Sequence, residues 1–273
     1  MSDATHSVEL FTEHDSDEVR MFSLCGVEAA FCSRATPESE TPNEDAAAII
    51  SVGCDAAVFA VADGCGGLRG GRQASQLAVS TLAEIIQLRS RDPDQLRSGI
   101  LDALELANSK IIDLAIGAAT TLAVVSYHAG VIRTVHAGDS MILVIGRNGR
   151  VKIRTVAHSP VGFALESGLI DEETAIYHEE RHIVSNVLGD AEMRIELGPS
   201  FRLAKHDTVL IASDGLFDNL FDDEISDPIR KGSLGDSLAM IVQTARSRMQ
   251  TPEAGVPHKP DDLTAIAFRK SST

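Results

Sequence analysis

Four short acidic clusters stand far apart along the chain: Asn43-Glu44-Asp45, Asp63-Gly64, Ser213-Asp214-Gly215 and Asp261-Asp262. Each lies where an apolar run meets a loop. A carboxylate is costly to bury unless a cation or a donor satisfies it. Hard divalent cations need several oxygen ligands gathered at one point, and strand ends converging at one sheet edge would gather them. The pattern therefore points to a metal site and to metal-assisted hydrolysis. Asp63 closes the run Val58-Phe59-Ala60-Val61-Ala62, and Asp214 follows Thr208-Val209-Leu210-Ile211-Ala212 in the same way. Gly64 lets the backbone turn sharply and offers a carbonyl as a further ligand. Asp218 follows Asp214 at helical spacing, within reach of the same point. Asp139 sits in a tight turn, Ala137-Gly138-Asp139-Ser140, where bonding to its own backbone explains it as well as a metal role does.

The elements that must position these residues follow from periodicity. Residues 1–20 are acidic and poor in apolar side chains, which predicts a loose tail, with residues 21–273 folding as a single domain. A loop rich in Pro, Ser, Thr and Glu is expected at 33–42. Strands are expected at Ala46–Val52 and Asp55–Ala62, forming a hairpin. Two helices follow: one built on Ala74, Leu77, Ala78, Leu82, Ile85 and Leu88, the other capped by Asp94 and built on Leu96, Ile100, Leu104, Ala107, Ile111 and Leu114. Next come strands Thr120–His128, Val131–Ala137, Met141–Arg147 and Val151–Val156, the last two joined by Asn148-Gly149, a type I′ hairpin signal. Residues 160–192, with His158 just before and His178 and His182 within, read as irregular or partly helical. Strands Met193–Leu197 and Thr208–Ala212, helices 222–231 and 234–249, and a strand Leu263–Arg269 complete the chain. Helix pairs between runs of hairpin-linked strands predict an α+β fold, with packed antiparallel sheets covered by helices.

Composition narrows the function. The 273 residues are 44% hydrophobic, enough for a sizeable core, and the net charge is −16. Such a surface repels phosphate backbones and anionic membranes, so neither nucleic acid nor a membrane is an expected partner. Cys25, Cys32, Cys54 and Cys65 form no CxxC pair, and no apolar stretch approaches the ~18 residues of a membrane helix, so a reduced, cytoplasmic protein is expected. Nucleotide motifs fail: Arg72-Gln73 follow Gly71 where a phosphate-binding loop needs Lys and Ser/Thr, and Arg69 takes the third glycine place of a dinucleotide fingerprint. A cysteine-based phosphatase needs an arginine at fixed spacing after its nucleophile, and the corresponding positions hold Phe31, Glu38, Ala60 and Gly71. His158, His178 and His182 lie outside the acidic clusters and read as packing or surface residues. Cys65 reads as a small buried filler rather than a thiol nucleophile.

Taken in order, six motifs resemble the metal-dependent protein phosphatases of type 2C in their compact bacterial form. They are Asn43-Glu44-Asp45-Ala46, Val61-Ala62-Asp63-Gly64-Cys65-Gly66-Gly67, Gly117-Ala118-Ala119-Thr120-Thr121-Leu122, His136-Ala137-Gly138-Asp139-Ser140, Ala212-Ser213-Asp214-Gly215-Leu216-Phe217-Asp218 and Pro260-Asp261-Asp262-Leu263-Thr264. The resemblance covers residues 20–270. It implies a central β-sandwich of two sheets flanked on both sides by helix pairs, with two Mn²⁺ or Mg²⁺ ions at one edge. It implies that Asp63 bridges the ions, that Asp214 and Asp261 hold one, and that Glu44, Asp45 and the Gly64 carbonyl hold the other. Asp139 and Asp218 match positions that bind a weaker third ion.

The implied chemistry is hydrolysis of phosphoserine or phosphothreonine on proteins by a monomeric enzyme that opposes a Ser/Thr kinase. A water between the ions, with its pKa lowered from about 15.7 to about 7, is the nucleophile; Asp63 and Asp214 act through it. Arg34 is the nearest arginine upstream of Asn43 and takes the phosphate-gripping role, with Arg69 and Arg72 as alternatives. The chain departs from the family in carrying Cys65 after Asp63-Gly64, and Ala157-His158-Ser159 where many relatives read Asp-His-Ser. Two rival readings are a regulatory module that kept the fold without turnover, opposed by the presence of every core acid, and a metal-dependent nuclease, opposed by the negative charge.

Overall fold

The computed structural model describes residues 7–38, 40–65, 70–89 and 95–271. Among the described residues, thirteen strands form two antiparallel sheets. The first contains β1 (Val8–Thr12), β4 (Ala46–Val52), β5 (Ala56–Ala62), β6 (Leu122–His128), β7 (Val131–Ala137) and β10 (Glu196–Leu197) in the order β1-β4-β5-β6-β7-β10, with β11 (Phe201–Arg202) also on β7. The second runs β2-β3-β13-β12-β8-β9, from β2 (Arg20–Leu24), β3 (Val27–Arg34), β13 (Leu263–Lys270), β12 (Thr208–Ala212), β8 (Met141–Ile145) and β9 (Val151–Arg154).

The sheets stack face to face, and helices cover both outer faces. Along β5, Ala57, Phe59 and Val61 point into the inter-sheet core, where the Phe59 ring stacks on Phe268 at 4.2 Å. Val58, Ala60 and Ala62 point the other way, under α1 (Gly71–Arg89) and α2 (Leu96–Ile112). In β12, Val209 and Ile211 face the inter-sheet core, while Leu210 and Ala212 pack against α5 (Asp214–Phe217), α6 (Asp222–Ile229) and α7 (Leu234–Gln250). Both faces of these strands are buried, so they read as unbroken apolar runs rather than alternating ones. Two short helices, α3 (Pro160–Glu166) and α4 (Glu172–Ile176), lie in the excursion between β9 and β10. The α-β-β-α layering is the expected one.

Several local expectations are corrected. The tail predicted over 1–20 is ordered from Val8: β1 pairs antiparallel with β4, and the buried Phe11 ring stacks on Phe31 at 3.8 Å. One buried aromatic anchors this edge strand despite its acidic surroundings. The loop predicted from residue 33 begins after Arg34, because β3 pairs with the last strand through the register Arg34↔Leu263. Asn148-Gly149 does turn the chain, but not as type I′. The Gly146 carbonyl accepts from Gly149 N–H, and only Gly149 takes positive φ (79°) in that turn, which makes a type I turn closed by a left-handed glycine. The strand predicted at Met193–Leu197 shortens to its last two residues. The N-terminal residues 1–6, Gly66, Gly67, Arg69 and the Asp94 cap lie outside the described residues.

Candidate metal centre

The acidic clusters meet where strand ends from both sheets come together, and a hydrogen-bond lattice shows how. Ser213, the residue after β12, donates its hydroxyl to Asp45 Oδ2 at 2.8 Å, accepts from Thr264 N–H at 2.9 Å, and donates its own N–H to Thr264 O at 3.0 Å. One buried serine thus ties three clusters together. Asp262 ties on a fourth segment: its Oδ2 accepts from Glu44 N–H at 2.6 Å, and its Oδ1 accepts from the Thr36 N–H and hydroxyl at 2.6 and 2.7 Å. Asp63 is locked to Thr121, whose hydroxyl accepts from Asp63 N–H (3.0 Å) and whose N–H donates to Asp63 O (2.8 Å). The same hydroxyl lies 2.7 Å from Ser140 Oγ, so the turn bearing Asp139 is held against Asp63.

Glycines permit the approach. A Cβ on Gly64 would lie 2.5 Å from Gly71 C and 2.8 Å from Glu44 O, and one on Gly215 would lie 2.0 Å from Asp262 O. No larger residue fits without moving backbone. Gly138, at φ +113°, would drive a Cβ to 2.4 Å from Thr121 Cβ. Asp214 opens α5, and Asp218 caps it, its N–H donating to Asp214 O at 2.8 Å.

The electrostatics of the cluster are unfavourable without a cation. Asp45, 2% exposed, has its carboxyl held well above the usual range by burial and then by the Asp262 charge. Burial, then repulsion from Asp45, Asp214, Asp261 and Asp139, raises Asp63. Asp139 is raised by burial and by Asp214 and Asp218. Asp218 is pushed up to about 6 and Asp261 to about 7, in each case by burial first and the Asp214 charge second. Burial also raises Glu44. Asp45 Oδ1 and Asp214 Oδ1 are buried without a hydrogen-bond partner. An all-oxygen donor set, crowded, repelling and left with orphaned acceptors, fits hard divalent cations such as Mn²⁺ and Mg²⁺.

The protein phosphatase 2C family model matches residues 34–251, most of the chain. The chain belongs to that family. Protein phosphatase PhpP of Streptococcus pneumoniae is 30% identical over 197 residues, covering 68% of this chain and 78% of the relative. Serine/threonine protein phosphatase PstP of Mycobacterium tuberculosis is 30% identical over 215 residues, covering 74% of this chain and 39% of that longer protein. Among solved structures, Stp1 of Staphylococcus aureus superposes with TM-score 0.78 at 25% identity, covering 93% of this chain and 99% of that one. The catalytic domain of PstP in complex with two manganese ions superposes at TM-score 0.69 and 25% identity, over 89% and 97% of the two chains. The present chain is therefore a phosphatase of type 2C, a metal-dependent family.

Within this 2C phosphatase, three further expectations are resolved. Arg34, the expected phosphate grip, is committed elsewhere: its Nε donates to Asp15 Oδ1 at 2.8 Å, and its Nη1 pairs with Asp17. Phosphate would have to displace two carboxylates to reach it. Cys65 is pushed up to about 12 by burial and then by the Asp139 and Asp214 charges, so its thiol stays protonated and is no nucleophile. His158 is a packing residue, as expected. Its ring stacks on His136 at 4.5 Å, its Nδ1 accepts from Gly138 N–H (3.1 Å) and lies 2.8 Å from Asn186 Nδ2, and its Nε2 faces Glu196 Oε2 at 3.0 Å. With Nδ1 accepting, Nε2 must carry the proton. His136 Nε2 faces the Val156 carbonyl, 2.9 Å away, and carries its proton there. These nitrogens are close enough to Glu196 to hold a metal on distance alone, but their protons are already placed for hydrogen bonds. The cluster braces the Asp139 turn instead.

Sequence reasoning missed Lys259. Its Nζ forms ion pairs with Asp214 Oδ2, with Asp218 Oδ2 at 2.9 Å and with Asp261 Oδ2 at 3.1 Å. A basic residue two positions before Asp261 was the available signal.

Proposed function

We propose that this chain hydrolyses phosphoserine and phosphothreonine on proteins. The supporting observation is the convergence of Asp45, Asp63, Asp214 and Asp261 into one mutually repelling cluster with unpaired buried oxygens, with Glu44 beside it, raised by burial and by the Asp262 charge. In this reading Asp63 would help hold both of two Mn²⁺ or Mg²⁺ ions, Asp214 and Asp261 would hold one, Glu44, Asp45 and the Gly64 carbonyl would hold the other, and Asp139 with Asp218 would serve a third. Such ions, when bound, acidify water and neutralise phosphoryl charge.

The rest is done by the protein. Ser213 keeps Asp45 aimed inward, Thr121 fixes Asp63, and Asp262 holds the Glu44 backbone against the last strand. Arg72 grips the substrate phosphate: it sits on the first turn of α1, its backbone N–H reaches the Glu44 carboxylate, and its guanidinium is half-exposed with one pair to Glu13 at 3.1 Å. An exposed pair of that kind is worth about 0–1 kcal/mol and yields readily to a phosphate. A cavity of about 250 Å³ beside Asp139, Asp214 and Asp218, lined also by Arg181 and Phe217, receives residues flanking the phosphorylated side chain.

The partners are then phosphorylated proteins and the Ser/Thr kinase that produces them, and the enzyme acts as a monomer. Four free thiols support a reducing, cytoplasmic setting. No helix among the described residues is long and apolar enough to cross a membrane. The test is release of phosphate from a phosphothreonine peptide by EDTA-stripped protein. Activity should be absent, should return with Mn²⁺, and should be lost in Asp63→Asn and Asp214→Asn. A fully active Asp63→Asn protein refutes the reading.

A further inference from the structure

Lys259 is placed too deliberately to be a stray surface charge. Its backbone N–H donates to Asn219 Oδ1 at 2.8 Å, its carbonyl accepts from Asn219 Nδ2 at 2.9 Å, and that same amide nitrogen reaches Gly215 O at 2.9 Å. Asn219 is 0% exposed. The loop before β13 is thereby bolted to α5, the helix that carries Asp214, with Asp218 at its end. From this anchor the lysine side chain turns inward, only 20% exposed, and its ammonium meets Asp214, Asp218 and Asp261. Three donors thus face three carboxylates. A strongly hydrated ammonium is desolvated this far only where carboxylates replace its water.

We propose that Lys259 is a tethered cation for the Asp214–Asp218–Asp261 end of the cluster, competing there with the outermost divalent ion. The inference rests on the function proposed above. A divalent ion held by Asp218 and Asp139 must push the ammonium off Asp218, so this chain binds that ion more weakly than its carboxylates alone would. The lysine supplies charge at that end which an ion would otherwise bring.

The experiment is Mn²⁺ titration by calorimetry, with metal counting after desalting, on the full chain and on Lys259→Met, Lys259→Arg and Arg181→Met. Lys259→Met should bind one more Mn²⁺ per chain, or bind the weakest ion about tenfold or more tightly, because a like charge a few ångströms away has been removed from a poorly screened site. Lys259→Arg keeps the charge and should titrate like the parent. The Arg181 charge also reaches Asp218, but its guanidinium is spent on the Ile176 and His258 carbonyls, so Arg181→Met should change little. Unchanged counts and affinities in Lys259→Met, or weaker binding, overturn the proposal. An anomalous-scattering map of Mn²⁺-soaked parent crystals decides it without any variant. Lys259 Nζ against Asp218, with no Mn²⁺ between Asp139 and Asp218, supports it; a Mn²⁺ at that point at low soak concentration, with the lysine swung out, overturns it. If the parent binds Mn²⁺ and cleaves phosphopeptide while Lys259→Met is unaltered, only this inference fails. A parent that neither binds Mn²⁺ nor cleaves removes the function as well.

Discussion

Asp45→Asn should stabilise the metal-free protein and destabilise the metal-loaded one, and that reversal is the sharpest consequence of the site. Asp45 is 2% exposed, one carboxylate oxygen has no partner, and its charge is opposed by Asp262 and Asp261. Asparagine keeps an oxygen to accept from Ser213 and removes the charge. Relief of a buried, incompletely paired charge is worth about 1–3 kcal/mol. For a chain of this size each kcal/mol moves the melting temperature by about 2–4 °C, so the metal-free variant should melt roughly 3–10 °C higher. With Mn²⁺ the order inverts. An ion at a hundred times its Kd adds about 2.7 kcal/mol of stability, or about 5–10 °C, and the variant forfeits at least one such ion. Differential scanning fluorimetry of both proteins, in EDTA and across a Mn²⁺ series, measures the two shifts. A variant that melts lower without metal, or that keeps the full Mn²⁺-induced rise, refutes the claim that this carboxylate is held there for a cation.

Asp218, raised to about 6 by burial and the Asp214 charge, favours the protonated form in the fold. Its contribution to metal-free stability is therefore complete below the unfolded value near ~4 and lost as pH rises through about 6. Asp218→Asn should gain melting temperature relative to the parent over pH 4 to about 7 in EDTA; a difference that stays flat with pH contradicts the assignment. Gly64→Ala forces a Cβ to 2.5 Å from Gly71 C, and should cost about 1–3 kcal/mol in denaturant melts and weaken Mn²⁺ binding; an alanine variant with parental affinity would show that the close approach is not needed. Arg72→Ala should raise KM for a phosphopeptide about tenfold while largely sparing kcat, whereas Arg34→Ala should leave KM unchanged, because its guanidinium already serves Asp15 and Asp17. The opposite pattern in steady-state kinetics would return the phosphate role to Arg34.

The buried strands were legible in the sequence because burial on both faces writes itself as an unbroken apolar run. β4 and β12 fall at their expected residues for that reason. β1 and β2 were not legible. They are edge strands with one anchoring aromatic each, Phe11 and Phe22, whose partners lie far along the chain or across a turn that periodicity does not reveal. The acidic clusters were legible as residue types at strand ends, but their division of labour was not. Asp261 and Asp262 are adjacent in sequence, yet Asp262 spends its oxygens on Glu44 N–H and Thr36 while Asp261 faces Lys259. Only the register of β13 against β3 and β12 decides which of two neighbouring carboxylates points into the cluster.

That register also explains how the chain tolerates such concentrated like charge. Every repelling carboxylate is attached to the end of a strand or helix whose other residues are deep in apolar packing. Ala46 and Ala62, beside Asp45 and Asp63, are 1% and 0% exposed, and Leu216, just after Asp214, is 0% exposed. The core supplies the free energy that holds the oxygens together, and a bound cation would return part of it. Lys259 fits this logic as a partial internal counter-charge. It meets the Asp214 end of the cluster, while no described lysine or arginine forms an ion pair with Asp45 or Asp63. The cluster should therefore be electrostatically lopsided, most demanding of a cation near Asp45 and Asp63 and least near Asp218. Sequential Mn²⁺ binding, with the tightest ion lost in Asp45→Asn and the weakest ion sensitive to Lys259→Met, is the observable form of that asymmetry.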